Sequence, residues 1–389
     1  MTEEAPSTTS QLELRTALGP VYRTVLNVPP RDCTAEEIPI IDISRLFSPS
    51  LDDRKALAAE IGAAAENNGF FYIKNHGVPE ETIMEAKKQC LAFFHQPLSH
   101  KTLVSQSRSR YFNGYKSAYG TRVNASESWD TRESLSWRYA PSHDPTPKPT
   151  LSQIPAEVLP WLRGEEFVWE GTAEHPGPGF KEGALGYWKA CLTLARQLIK
   201  LFALALELPE DYFDSRTTYP GADGVFNYYP PSTTKEIEED SVGLGSHTDL
   251  QLFTLLWQDQ VGGLQVLKEE AAERWRWVKA RPVEGTFVVN VGDFLMRLSN
   301  ERFRSAVHRV YNRAEVERVS MPFFFGLNFN CVEGVIPTCT SEDNPAKYEP
   351  ISCGDVSNWC QLRFKQEQDE TNKVMAAQEK APSAVIVST

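Results

Sequence analysis

The sequence has no CxxC pair, no cluster of basic residues, no internal repeat and no uninterrupted apolar stretch of membrane-spanning length. Each absence removes a class of protein. The seven cysteines, Cys33, Cys90, Cys191, Cys331, Cys339, Cys353 and Cys360, are odd in number. They read as reduced thiols of a cytoplasmic protein, not as a disulfide framework. Lys and Arg total 40 against 52 Asp and Glu, a net charge of −12. An acidic surface repels phosphate backbones and anionic lipid, which argues against nucleic acid and membrane surfaces as partners. Residues 1–11 have neither a basic start nor an apolar stretch, so no secretory signal is expected. The last residues match no retention or lipidation signal.

What is there supports a large core. Of the 389 residues 41% are hydrophobic, with nine Trp and twenty Phe. The most apolar segment is 184–209, but Lys189, Thr193, Arg196, Gln197 and Lys200 fall at helical spacing on one stripe. That is an amphipathic helix with a wide buried face, since a membrane span would not carry three cations in its middle.

Residues 1–37, rich in Thr, Glu, Pro and Ser, are expected to form a flexible arm. A short strand over 38–44 opens the folded part. Helices are predicted over 52–69, stopped at Gly69, and over 79–95, with a strand at 69–77 between them. Residues 96–183 have little periodicity and many Pro, Ser and Gly; a loop region of that length in a compact chain usually shapes a site. From 225 onward, short apolar runs alternate with Gly, Asn and Asp turns, the texture of an antiparallel barrel or jelly roll. Residues 354–370 read as a helix and 371–389 as a mobile tail. The expected organisation is a single catalytic domain over 38–370, its helical and loop region at 38–183 and its barrel core at 184–365.

Histidine is scarce, seven in all. His247 and Asp249, in SHTDLQ, have the i, i+2 spacing that puts two side chains on one side of an extended chain. The preceding Val242–Gly245 segment supplies backbone freedom for a close approach. His308, in SAVHRVYN, would join them from a later strand. Two imidazoles and a carboxylate suit Fe(II), Mn or Zn and leave half of an octahedral ion open. By itself an HxD is common; a polar strand end, a turn cap and a core histidine account for these residues equally well. Arg318 and Ser320, again at i, i+2, would make a receptor for a carboxylate, because guanidinium offers two charged hydrogen bonds in a fixed plane. Asn227 and Tyr229, in FNYYPP, would line the same pocket or serve as turn residues. The aromatic residues Tyr111, Phe112, Tyr115 and Tyr119 would supply a pocket wall.

These blocks resemble the isopenicillin N synthase-like family of Fe(II)/2-oxoglutarate-dependent dioxygenases. NYYPP, SHTDLQLFTLLWQDQVGGLQV, TFVVNVGDFLMRLSN, RFRSAVHRV and RVSMPFFF are similar to that family's blocks and stand in the same order. IPIIDIS, NNGFFYIKNHGVP and RESLSW are similar to its N-terminal region. The resemblance covers about residues 38–365. It implies a mainly β fold with flanking helices, a distorted double-stranded β-helix. It implies that His247, Asp249 and His308 hold Fe(II), that Arg318 and Ser320 bind the distal carboxylate of 2-oxoglutarate, and that Asn227 and Tyr229 help to hold this co-substrate. O2 would be the oxidant and ascorbate a candidate reductant. Oxidative decarboxylation to succinate and CO2 would be coupled to oxidation of an unactivated C–H bond in a specialised metabolite. FFFGLNFN, 323–330, departs from the Asn-Pro-Asn turn of many relatives and leaves the exit of that strand open. Other readings of the same residues are an Fe(II) oxidase that uses no 2-oxoglutarate, a nucleobase hydroxylase, a zinc hydrolase and a non-catalytic binding barrel.

Overall fold

A computed structural model describes residues 8–16, 19–146 and 154–354. Two sheets face one another and make a nearly closed jelly roll. The strands in chain order are β1 (Thr9–Thr16), β2 (Gly19–Leu26), β3 (Arg31–Asp32), β4 (Ile40–Asp42) and β5 (Phe70–Lys74). Then come β6 (Gly114–Lys116), β7 (Glu133–Trp137), β8 (Pro220–Tyr229), β9 (Leu244–His247) and β10 (Phe253–Gln258). The last strands of the two large sheets are β11 (Leu264–Ala271), β12 (Arg274–Lys279), β13 (Thr286–Val291), β14 (His308–Val310) and β15 (Arg318–Asn328). One sheet runs β4-β5-β13-β10-β15-β8-β7-β6; the other runs β1-β2-β12-β11-β14-β9, with β3 also on β12.

Period-two alternation explains how the first sheet serves two masters. On β15, Val319, Met321, Phe323, Phe325 and Leu327 face the main core, while Arg318, Ser320, Pro322, Phe324 and Gly326 face a cavity between the sheets. On β8, Ala222 and Phe226 join the core and Asp223, Val225, Asn227 and Tyr229 line the cavity. Such alternation in an antiparallel strand fixes the register, because a one-residue slip would turn Phe323 and Phe325 to the cavity and the Arg318 charge into the core.

The helices Leu51–Asn67, Glu80–Phe94 and Phe180–Ala205 cover the core face. The polar stripe predicted on the third is exposed or half-exposed. Tyr187 Oη donates to Met321 O at 2.6 Å and Trp188 Nε1 to Ala222 O at 3.1 Å, which fastens this helix to β15 and β8. Among the described residues no helix is long and apolar enough to cross a membrane.

The structure corrects the expectation of a loose arm. Thr9–Thr16 and Gly19–Leu26 pair antiparallel in continuous register, and β2 extends the second sheet by pairing with Arg274 and Trp275 of β12. Leu12, Leu14 and Val25 pack on Leu267, Trp277 and Val307. Composition averaged over 37 residues hid the alternation, and the open edge of β12 supplies a partner that the hairpin alone lacks. The loop region 96–183 contributes β6 and β7, with β7 on β8. The strand whose exit was open runs on to Asn328. The helix expected at 354–370, the tail 371–389 and Cys360 lie outside the described residues. The other six cysteines are free thiols.

Candidate active site

His247 ends β9 and His308 begins β14; the two stand opposite each other in the antiparallel ladder. Their rings are 4.3 Å apart between centroids. Asp249 follows two residues on, past the strand end. Its Oδ1 lies 3.7 Å from His247 Nε2 and 3.8 Å from His308 Nε2. Among the described residues these three form the group whose donor atoms all lie within 4.8 Å of one another. A divalent first-row ion holds such donors at about 2.0–2.2 Å, so a small contraction closes the set on one ion.

The surroundings leave the right atoms available. Gly245 O accepts from His247 Nδ1 at 2.8 Å and Ala306 O from His308 Nδ1 at 3.2 Å. A carbonyl only accepts, so each Nδ1 carries a proton and each Nε2 is the nitrogen left to bind a metal. Asp249 Oδ2 accepts from Thr254 Oγ1 at 2.5 Å and Asn290 Nδ2 at 2.7 Å, while Oδ1 faces the imidazoles. Burial pushes the Asp249 carboxyl up, but His308, His247 and the two hydrogen bonds outweigh it and hold it below the usual range. Gly292 is required here by space: a Cβ on it would stand 2.2 Å from Gln251 O. The freedom expected of Val242–Gly245 is also steric, since neither Gly243 nor Gly245 has a positive φ and a Cβ on Gly243 would meet the Tyr229 ring at 2.9 Å.

Across the cavity, Arg318 is fully buried on β15. Its Nε donates to Gly262 O and its Nη2 to Gln258 Oε1 at 3.0 Å, and its guanidinium lies 4.7 Å from the Tyr229 ring centre. Nη1 is buried and has no partner. An unpaired buried guanidinium nitrogen is costly, and an anionic oxygen is the group that satisfies it best. Ser320 is paired in register with Asn227, so Arg318, Ser320, Asn227 and Tyr229 form one patch on two strands. Asn227 Oδ1 is engaged by Arg132 Nη1 at 2.7 Å.

All seven residues singled out in the sequence line one cavity of about 260 Å3. Of the aromatic wall, Tyr111 and Phe112 line it. Tyr115 and Tyr119 do not: Tyr115 is a core residue that donates to Glu133 Oε2 at 2.5 Å, and Tyr119 is exposed and donates to Glu236. Tyr115 sits on β6, whose three residues are too few to show an alternation in the sequence, and Tyr119 lies beyond that strand.

Residues 223–327 match the model of the 2OG-Fe(II) oxygenase superfamily, and residues 38–157 match that of the non-haem dioxygenase in morphine synthesis N-terminal region. The 2-oxoglutarate-Fe(II) type oxidoreductase ppzC of Metarhizium majus is 44% identical over 353 residues, 89% of this chain and 92% of that protein. The chain belongs to the Fe(II)/2-oxoglutarate-dependent oxygenase family.

Solved structures of similar shape agree. A full-length Neurospora crassa protein in complex with alpha-KG superposes with a TM-score of 0.70 at 24% identity, over 87% of this chain and all of that one. JOX2 in complex with 2OG, Fe and JA gives 0.65 at 26% identity, over 85% of this chain and 88% of that one. The oxygenase is thus an enzyme that uses Fe(II), 2-oxoglutarate and O2. The sequence reading missed Arg132, Arg138, Asp223, Gln251, Thr254 and Asn290, all of which line the cavity. The alternation D-x-V-x-N-x-Y in β8 was a signal for Asp223 alone; the others are defined by strands far apart in sequence.

Proposed function

We propose that this oxygenase oxidises an unactivated C–H bond of a small specialised metabolite, by hydroxylation, desaturation or rearrangement, with release of succinate and CO2. His247, Asp249 and His308 hold the Fe(II). Arg318 and Ser320 take the distal carboxylate of 2-oxoglutarate, with Asn227 and Tyr229 completing that wall. The observation that carries the reading is the unpartnered, buried Arg318 Nη1 in the same cavity as the His-Asp-His group. The relatives named as 2-oxoglutarate-Fe(II) oxidoreductases and the neighbour bound to 2OG and Fe support it.

Bound Fe(II) supplies activation of O2 and chelation of the keto acid. The chain supplies placement. Thr254 and Asn290 fix the Asp249 carboxylate, the two carbonyls fix the imidazole tautomers, and Tyr229 backs the Arg318 guanidinium.

Anaerobic addition of 2-oxoglutarate to the Fe(II) protein is expected to produce a visible metal-to-ligand charge-transfer band. Absence of the band, together with no succinate under turnover with any substrate, would favour the oxidase reading instead. A second expected result concerns the Asp249 support. Asn290→Ala leaves Oδ2 with one donor in place of two, and loss of such an outer partner lowers metal affinity by about tenfold to a hundredfold. Fe(II) titration measures this; wild-type affinity in Asn290→Ala would mean that Thr254 alone orients the carboxylate.

A further inference from the structure

A second group of buried polar atoms lies in the cavity, apart from Arg318. Asp223 is 8% exposed. Its Oδ2 accepts from Gln251 Nε2 at 3.0 Å and pairs with Arg138 Nη1 at 2.9 Å. Its Oδ1 is buried and has no partner, and neither has Gln251 Oε1. The carboxylate decides the orientation of the Gln251 amide: NH2 must face Asp223, so the carbonyl oxygen is turned away from it. Asp223 Oδ1 and Gln251 Oε1 are thus buried acceptors on two hydrogen-bonded side chains, with nothing donating to either.

Their level in the barrel matters. Phe324 is paired with Thr254 on one side and with Asp223 on the other. At about 4.8 Å per strand, Thr254 and Asp223 are roughly 10 Å apart. Thr254 is the residue whose hydroxyl holds Asp249. Tyr229, beside Arg318, is six residues along β8 from Asp223, roughly 20 Å at strand rise. The Asp223 group therefore sits at the level of the metal triad and away from the 2-oxoglutarate end, where the primary substrate has to lie. This inference rests on the reading above.

Charge selects the donor. Burial pushes the Asp223 carboxyl above its usual range, opposed by Arg138, which pairs with it at 2.9 Å, and by the Arg163 cation. A corner with two guanidinium groups and one carboxylate disfavours a further cation. It suits a neutral N–H donor whose own carbonyl can face the arginines. We propose that Asp223 Oδ1 and Gln251 Oε1 form the substrate subsite of this oxygenase, and that it accepts the N–H of a neutral amide-type group, an amide, lactam or imide. A ligand of the same shape without N–H leaves both oxygens unpaired, which a polar site penalises strongly.

The test is calorimetric titration of the full chain loaded anaerobically with Fe(II) and 2-oxoglutarate, using δ-valerolactam, N-methyl-δ-valerolactam and δ-valerolactone. The lactam is expected to bind about tenfold or more tightly than either analogue, equivalent to ~1.4 kcal/mol. Gln251→Leu and Asp223→Ala are expected to shrink that preference. Equal binding of the three probes by the wild-type protein, binding of none, or an unchanged preference in folded Gln251→Leu would overturn the inference. The wild-type comparison stands even where Asp223→Ala fails to fold. Failure of the underlying reading looks different: the charge-transfer band would be missing before any probe is added.

Discussion

Asp249→Ala is expected to abolish turnover and to lower Fe(II) affinity by more than about a thousandfold, or ~4 kcal/mol. Asp249 is the only anionic member of the proposed set, and its Oδ1 stands within 3.8 Å of both imidazole Nε2 atoms. Without it, two neutral histidines face the ion alone, and nothing in the set offsets its charge. The fold should persist, because removing the carboxylate also removes a buried charge, although Asn290 Nδ2 and Thr254 Oγ1 each lose an acceptor. Iron per chain, Fe(II) titration and circular dichroism together make the measurement. A folded Asp249→Ala protein that retains stoichiometric iron would remove Asp249 from the metal site.

Arg318→Ala is expected to raise the apparent KM for 2-oxoglutarate by about a hundredfold or more, while iron content stays near wild type. Breaking a buried, charge-assisted pair costs about 2–5 kcal/mol, or roughly two to three decades in affinity. Arg318→Lys should fall between. Lysine restores charge but cannot repeat the guanidinium fork, which here spends Nε on Gly262 O and Nη2 on Gln258 Oε1 while presenting Nη1. Titration of 2-oxoglutarate at saturating primary substrate decides it. An unchanged constant for 2-oxoglutarate, with a large change for the primary substrate, would assign Arg318 to the substrate and return the oxidase reading.

The two proposed carboxylate-side residues and the His-x-Asp pair were legible for one reason: each is a pair at i, i+2 in a strand, and strand geometry puts such pairs on one face without help from the rest of the chain. His308 stood out as a scarce histidine on a later strand, and the resemblance of its surrounding block tied it to the pair. The aromatic loop was half-legible, since Tyr111 and Phe112 face the cavity while Tyr115 and Tyr119 turn away. The pairing of β6 with β7 decides the face that Tyr115 takes, and a three-residue strand carries no sequence alternation to announce it.

The sequence alone indicated a barrel or jelly roll, the three long helices before residue 210 and many of the strands, because hydrophobic period and turn residues are local properties. It determined the donor types available to a metal for the same reason. Tertiary structure decided the rest. Leu12 and Leu14 become a buried edge only against Trp277, more than 260 residues later. Asp223, Arg138 and Gln251 become one cluster only because β7 pairs with β8 and the turn after Asp249 brings Gln251 to Asp223. Register between distant strands is a cooperative choice of the whole core, so the partners of a polar side chain in the barrel are set by packing and not by its neighbours in sequence.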